Sequence, residues 1–233
     1  MAKTFISVLV GIAIDEGKIK SLDQPIADFI PSYKDGKNAN VTFRHLITMS
    51  SGINFTEDYK NPFGFPAEAY YGTDLRKLVF KYHATEEPGK TFEYLSGNTM
   101  LLCFALSKAV GTSVSDYAAQ KLWQPIEAEQ NAFWSLDRKD GDEKAYCCFN
   151  SNAKDFARIG KLFLDSGRWN GNQVISEKYV LESIKPAKLF DKDLKVANQR
   201  YGYSWWTYPA YKPAGQENKS YQIFYARGIL GQY

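Results

Sequence analysis

Phe5, Val8, Leu9, Ile12 and Ala13 recur at helical spacing and predict an amphipathic helix over residues 4–16, stopped by Gly17 in "DEGK". "SLDQPIADFIPSYKDGKNANV" breaks the period with Pro25, Pro31 and Gly36 and reads as loop. "TFRHLITMSSGI" predicts a short helix capped by Thr42 and ended near Gly52. The next stretch, "NFTEDYKNPFGFPAEAYYG", reads as long, irregular and dense in aromatic residues. A helix over 74–82 starts from Thr73 as N-cap. A turn at Pro88-Gly89 leads through Tyr94 into a helix over 97–110 that Gly111 ends, followed by another over 114–123.

"NSNAKDFARIGKLFLDSGRWNG" is a further amphipathic helix capped by Ser151 or Asn152, and "SEKYVLESIKP" predicts one more. Only in the last thirty or so residues does the pattern turn to β, in "YGYSWWTY" and "SYQIFYARGILGQY". The sum is a helix-dominated α+β chain. A pair of strands with an apolar face is marginal alone, so an exposed apolar face that favours association is expected.

Composition narrows the function classes. Net charge is +3 with no block of like charges, so nucleic acid and polybasic membrane binding lose their usual footprint. No apolar run reaches transmembrane length. "FISVLVGIAI" is preceded only by Lys3 and followed by no small-residue cleavage site, which argues against a signal sequence. Cys103, Cys147 and Cys148 are an odd set without metal-ligand spacing and read as small buried hydrophobes. His45 reads as a structural histidine and His83 as a loop residue, so a Ser-His-Asp arrangement has little support.

Singly, each remaining candidate is ordinary: a Lys at a helix start is usually solvated, and a Tyr before a helix is usually a core or rim aromatic. Their order is informative. "AKTFISVLVGIAIDEGKI", "HLITMSSGI", "PGKTFEYLSGNTMLL", "SNAKDFARIGKLFLDSGRWNG", "YGYSWW" and "ARGILGQY" together resemble the penicillin-recognising serine hydrolases along essentially the whole chain. The likeness is to the branch with C-type β-lactamases, esterases of that fold and 6-aminohexanoate-oligomer hydrolases. The implied fold is the β-lactamase/penicillin-binding-like serine hydrolase fold. Here residues 1–233 would be one partial domain, helix-rich, with most of the antiparallel sheet, the nucleophile and a closing helix outside it.

The family's first motif is S-x-x-K, and Lys3 matches its Lys, so the resemblance implies the nucleophilic Ser immediately before Met1. On that basis the chain by itself is expected to be inactive. In the second motif, "YLS", Tyr94 would share the acid/base work and Ser96 would hold Lys3 or touch substrate, with Asn98 as the alternative. The third motif departs from the family, because Ala226-Arg227-Gly228 replaces Lys/His-Thr/Ser-Gly. Arg227 can still supply a cationic fork, Gly228 permits close backbone approach, and the Ile229 N–H would be one oxyanion donor.

This departure favours a small ester or amide over a β-lactam-like substrate. β-Lactamase or D,D-peptidase activity stays open beside it, as does a non-catalytic homologue that binds peptidoglycan fragments or a partner protein. The resemblance implies no cofactor and an extracytoplasmic location. Tyr70, Tyr71, Trp205 and Trp206 are candidates for an apolar pocket wall, with core packing the better account of at least two.

Overall fold

The computed structural model describes residues 1–228 and 232, with Pro209 described by its backbone alone. Helix α1 (Ala2–Asp15) starts two residues ahead of the predicted helix and is not the amphipathic surface helix that its spacing suggested. Ala2, Ile6 and Val10 are as buried as Phe5, Leu9 and Ile12, so the helix runs through the middle of the core. A helix apolar on nearly every side has this destiny. Its polar residues are bonded internally: Thr4 Oγ1 donates to the Ser204 carbonyl at 2.8 Å, and Tyr179 Oη donates to the Ser7 carbonyl at 2.7 Å. Gly11 is required by proximity, since a Cβ there would lie 2.6 Å from Ile175 Cδ1 and 2.7 Å from the Tyr179 ring.

Three 3₁₀ turns (Ile26–Asp28, Pro31–Tyr33, Gly36–Asn40) lead into α2 (Phe43–Ile47). Thr42 caps α2 as predicted, in a reciprocal box with His45: Thr42 N–H donates to His45 Nδ1 at 3.2 Å and His45 N–H to Thr42 Oγ1 at 3.3 Å. The aromatic-rich stretch is not wholly irregular, because Gly64-Phe65-Pro66 opens α3 (Phe65–Tyr71), with Pro accepted in the first turn. The following helix, α4 (Leu75–Val79), is shorter than expected and capped by Asp74 rather than Thr73: the Asp74 carboxylate accepts from the Lys77 N–H at 2.9 Å.

Strand β1 (Thr91–Phe92) leads to α5 (Ser96–Val110), which packs against both α1 and α2. Gly111 ends α5 in the left-handed conformation, its N–H returning to the Ser107 carbonyl at 3.0 Å. Then α6 (Val114–Ala118) widens into a π-helical turn over Ala119–Trp123. β2 (Phe133–Trp134) pairs antiparallel with β3 (Phe149–Asn150) ahead of α7 (Ala153–Leu164), which Asn152 caps. β4 (Arg168–Trp169) and β5 (Asn172–Gln173) form a small hairpin before α8 (Glu177–Ser183).

β6 (Phe190–Asp191) pairs parallel with β1 and antiparallel with β7 (Val196–Ala197), so strands occur well ahead of the C-terminal stretch, contrary to expectation. Each is two residues long, too short to show a period of two. The β signals at the end do form a hairpin, β8 (Trp206–Tyr211) with β9 (Tyr221–Tyr225), in the register Thr207↔Phe224 and Tyr208↔Ile223. One face carries Phe224 onto Trp205, which packs on Phe163 of α7 at 4.6 Å, while Tyr208 and Ile223 face outward and exposed.

Candidate active site

Lys3 stands in the first turn of α1, half-buried, on a cleft of about 430 Å³. Its Nζ donates to the Tyr146 carbonyl at 2.9 Å and lies 4.9 Å from the centre of the Tyr94 ring. Tyr94 belongs to the short link between β1 and α5, its ring tilted against Trp206 at 5.4 Å and edge-on to Tyr201 at 5.8 Å. Arg227 and Gly228 follow the end of β9 and reach the same cleft. Three separate parts of the chain thus bring Lys3, Tyr94, Ser96, Arg227 and Gly228 together. Ile229 lies outside the described residues.

Ser96 departs from its expected part. It lines the cleft, but it does not hold Lys3; its N–H and its Oγ both donate to the Glu57 carboxylate, at 2.6 and 2.5 Å. A carboxylate beside the first residue of a helix gains from both the hydrogen bonds and the helix dipole, so it takes the hydroxyl ahead of any neutral acceptor. Glu57 also accepts from the Tyr59 Oη at 2.6 Å. Asn98 is fully buried beneath, accepting from Ser51 Oγ at 2.6 Å, and does not reach the cleft.

Tyr70 and Tyr71 form part of the wall as an edge-to-face pair. Trp205 is a core residue and Trp206 supports Tyr94 from behind, so neither lines the cavity. Gly228 uses its N–H toward the Gln232 carbonyl at 2.7 Å. Arg227 is exposed, and among the described residues it makes no ion pair or hydrogen bond.

The opposite wall was not legible in the sequence. It is the segment Tyr146-Cys147-Cys148-Phe149, and the two cysteines are joined to each other in a vicinal disulfide rather than lying free in the core. Both are half-buried, and Cys148 adopts φ +61°. Such pairing needs an unusual backbone that residue spacing does not reveal. Cys103 is buried and free, as predicted. The Tyr146 hydroxyl is buried and has no hydrogen-bond partner among the described residues.

The electrostatics are those of a partly dry cleft. Burial and then the Glu57 carboxylate raise the Tyr146 and Tyr59 phenols. His45 and His83 are remote; His45 is the capping residue already described, and His83 is exposed. Among the described residues no group of three or more His, Cys, Asp or Glu is placed to hold a metal ion. The chemistry present is an amine and a phenol within one pocket, an exposed guanidinium at its edge and aromatic walls. That set suits proton transfer on a bound polar substrate with an anionic end.

Comparison with known proteins concerns the family and the fold. The family model described as Beta-lactamase matches residues 1–232. A 6-aminohexanoate-dimer hydrolase of Paenarthrobacter ureafaciens is 25% identical over 199 residues, covering 79% of this chain and 49% of its own length. A structure assigned by name as a 6-aminohexanoate-dimer hydrolase from Bacillus anthracis superposes with a TM-score of 0.75 at 22% identity, over 88% of this chain and 56% of that one. The octameric penicillin-binding protein homologue from Pyrococcus abyssi gives 0.67 at 20% identity, over 89% and 52%. The chain spans about half the length of these relatives.

Proposed function

The chain belongs to the Beta-lactamase family, and from that premise we propose that it carries the Lys-Tyr part of a serine hydrolase site that cleaves a small ester or amide through an acyl-enzyme. The observation that carries the proposal is the placement of the Lys3 Nζ 4.9 Å from the Tyr94 ring in a cleft shared with Arg227 and Gly228.

The nucleophile is a serine immediately before Met1, three positions ahead of Lys3 on the same helical face. It attacks the substrate carbonyl while Lys3 takes its proton. Tyr94 passes a proton to the leaving group, and water then frees the acyl group. The serine's own N–H is one donor to the oxyanion, worth about 3–4 kcal/mol to the rate. The exposed Arg227 at the cleft favours substrates with a carboxylate or other anion beyond the scissile bond, such as an oligomer of an amino acid like that named for the Paenarthrobacter relative. Ala226-Arg227 in place of a cation–hydroxyl pair disfavours β-lactam turnover. Family kinship, supported by a disulfide of the kind that persists in oxidising surroundings, favours an extracytoplasmic location.

The test compares this chain with one carrying a Ser ahead of Met1, each treated with a fluorophosphonate and with p-nitrophenyl acetate and read by intact mass. An adduct on the Ser-bearing protein alone is expected. No adduct on that protein, folded by circular dichroism, or an equal adduct on both, overturns the proposal, and the former outcome puts the binding-homologue alternative first.

A further inference from the structure

The cleft wall at Tyr146–Phe149 does two things to α1 at once. The Tyr146 carbonyl accepts from Lys3 Nζ at 2.9 Å, and two residues further along the same helix the Phe5 ring packs on Phe149 at 4.4 Å. Between these two contacts lies the disulfide. The other main-chain polar groups of the dipeptide region that have partners bond to residues other than Lys3. Cys147 N–H donates to the Lys144 carbonyl at 3.0 Å, the Cys147 carbonyl accepts from Trp134 Nε1 at 2.9 Å, and the Cys148 carbonyl accepts from the Ser135 N–H at 3.1 Å. The Tyr146 carbonyl alone is aimed at the amine.

We propose that the Cys147–Cys148 disulfide is a positioning element of the site, holding the Tyr146 carbonyl where it accepts from the Lys3 side-chain amine. The proposal rests on Lys3 being the proton-accepting group. The disulfide closes a small covalent ring through the Cys147–Cys148 peptide, which leaves that peptide little freedom to rotate. Cys148 at φ +61° is in a region that L-residues with a Cβ leave readily. Once the ring opens, nothing covalent keeps Cys148 there, and a return to negative φ swings the Tyr146 carbonyl relative to Phe149. Opening consumes two electrons and two protons: a dithiol reductant gives these up, becomes a disulfide itself, and leaves free thiols on Cys147 and Cys148. Both sulfur-bearing residues line the cleft and are only half-buried, so a small reductant has access.

The experiment reads Lys3 directly and needs no turnover. Protein isolated without reductant is denatured and alkylated; one label, on Cys103, is expected before reduction and three after it. Native protein, oxidised or reduced with dithiothreitol, is then pulse-labelled with trace acetic anhydride from pH 6 to 10, and modification of Lys3 is compared with that of exposed Lys139 by peptide fragmentation. Reduction is expected to raise the Lys3 labelling rate about threefold, because the amine loses its hold on the Tyr146 carbonyl, while Lys139 stays put. The double variant Cys147→Ser/Cys148→Ser, whose Ser at 148 favours negative φ as a reduced Cys does, is expected to behave like the reduced protein. Three labels before reduction, or identical Lys3 profiles in protein shown to have gained two thiols, overturns the proposal. Failure of the serine hydrolase reading would appear instead as absent acylation with the Lys3 rate change intact.

Discussion

Glu57 takes both hydrogen-bond donors of Ser96, the N–H at 2.6 Å and the Oγ at 2.5 Å, so a residue from an aromatic-rich loop closes the N-terminus of the helix that follows Tyr94. Removing the carboxylate leaves a buried N–H and a buried hydroxyl without their acceptor, at the positive end of a helix. Glu57→Ala is expected to lower stability by about 1–2 kcal/mol, with Gln recovering part of the loss, in urea titrations. An unchanged midpoint would show that water replaces the carboxylate at no cost.

Lys3 is half-buried and its stem lies among apolar neighbours, so Lys3→Met preserves packing while deleting the amine. In the protein bearing a serine ahead of Met1, the acylation rate by p-nitrophenyl acetate should fall about 10³-fold. Lys3→Arg should not rescue it, because a guanidinium does not give up its proton. Rescue by Arg would make Lys3 a charge-positioning group instead of a base.

Arg227 offers an exposed charge, where a paired guanidinium contributes little compared with a buried one. Arg227→Ala should therefore raise KM for carboxylate-bearing substrates by about fivefold, equivalent to about 1 kcal/mol, and leave kcat unchanged. Neutral p-nitrophenyl esters should show no change in either constant. Equal effects on charged and neutral substrates would assign Arg227 to the structure of the turn.

Lys3, Tyr94 and the α5 helix with its Gly111 stop were legible because helical spacing, a glycine cap and motif order all point the same way. Ser96 was placed at the cleft but its bond to Glu57 was not foreseen, since nothing in "NFTEDYKNP" distinguishes a carboxylate folded back onto a helix end from one in solvent. The vicinal disulfide was missed for a conformational reason: it depends on Cys148 at φ +61°, and positive φ is announced by Gly or Asn, not Cys. The two-residue strands β1, β6 and β7 escape any period-based reading, and only the longer hairpin β8–β9 carries enough alternation to be seen.

Gly97 in the first turn of α5 sets two magnitudes against each other. In an ordinary helix Gly→Ala gains about 1 kcal/mol from propensity. Here a Cβ would lie 2.4 Å from Phe55 Cδ1, and the Phe55 ring is itself held by Phe65 and Tyr82, both 5.0 Å away or slightly more from the rings they meet. Overpacking of this kind costs about 1–3 kcal/mol, so Gly97→Ala should be net destabilising. The smaller ring-free side chain in Phe55→Leu should reduce the penalty of Gly97→Ala in a double-mutant cycle; strict additivity would locate the strain elsewhere.

His45 supplies a pH dependence whose sign follows from its place in the α2 cap. Burial is the chief cause that lowers its pKa from 6.5, and its Nδ1 accepts from the Thr42 N–H, which a protonated ring cannot do. The unfolded chain therefore binds a proton at higher pH than the folded one, and stability rises with pH across the window between the depressed folded value and 6.5. Asp155 adds an acid-side contribution lower down. Burial opposes its ionisation, but hydrogen bonds from the Glu129 N–H, Asn152 Nδ2 and the Gln130 N–H, with the Arg158 charge, outweigh burial and hold the carboxyl below 3.8. Its stabilisation is present above 3.8 and lost as pH falls through the folded value. In His45→Gln the Gln oxygen can still accept from the Thr42 N–H, completing a capping box with no titrating group. Stability at pH 7 should stay within about 0.5 kcal/mol of the parent. The slope of Tm against pH just below 6.5 should flatten, while the acid-side loss below 3.8 attributed to Asp155 persists. A slope unchanged by the substitution would assign the mid-range dependence to groups other than His45.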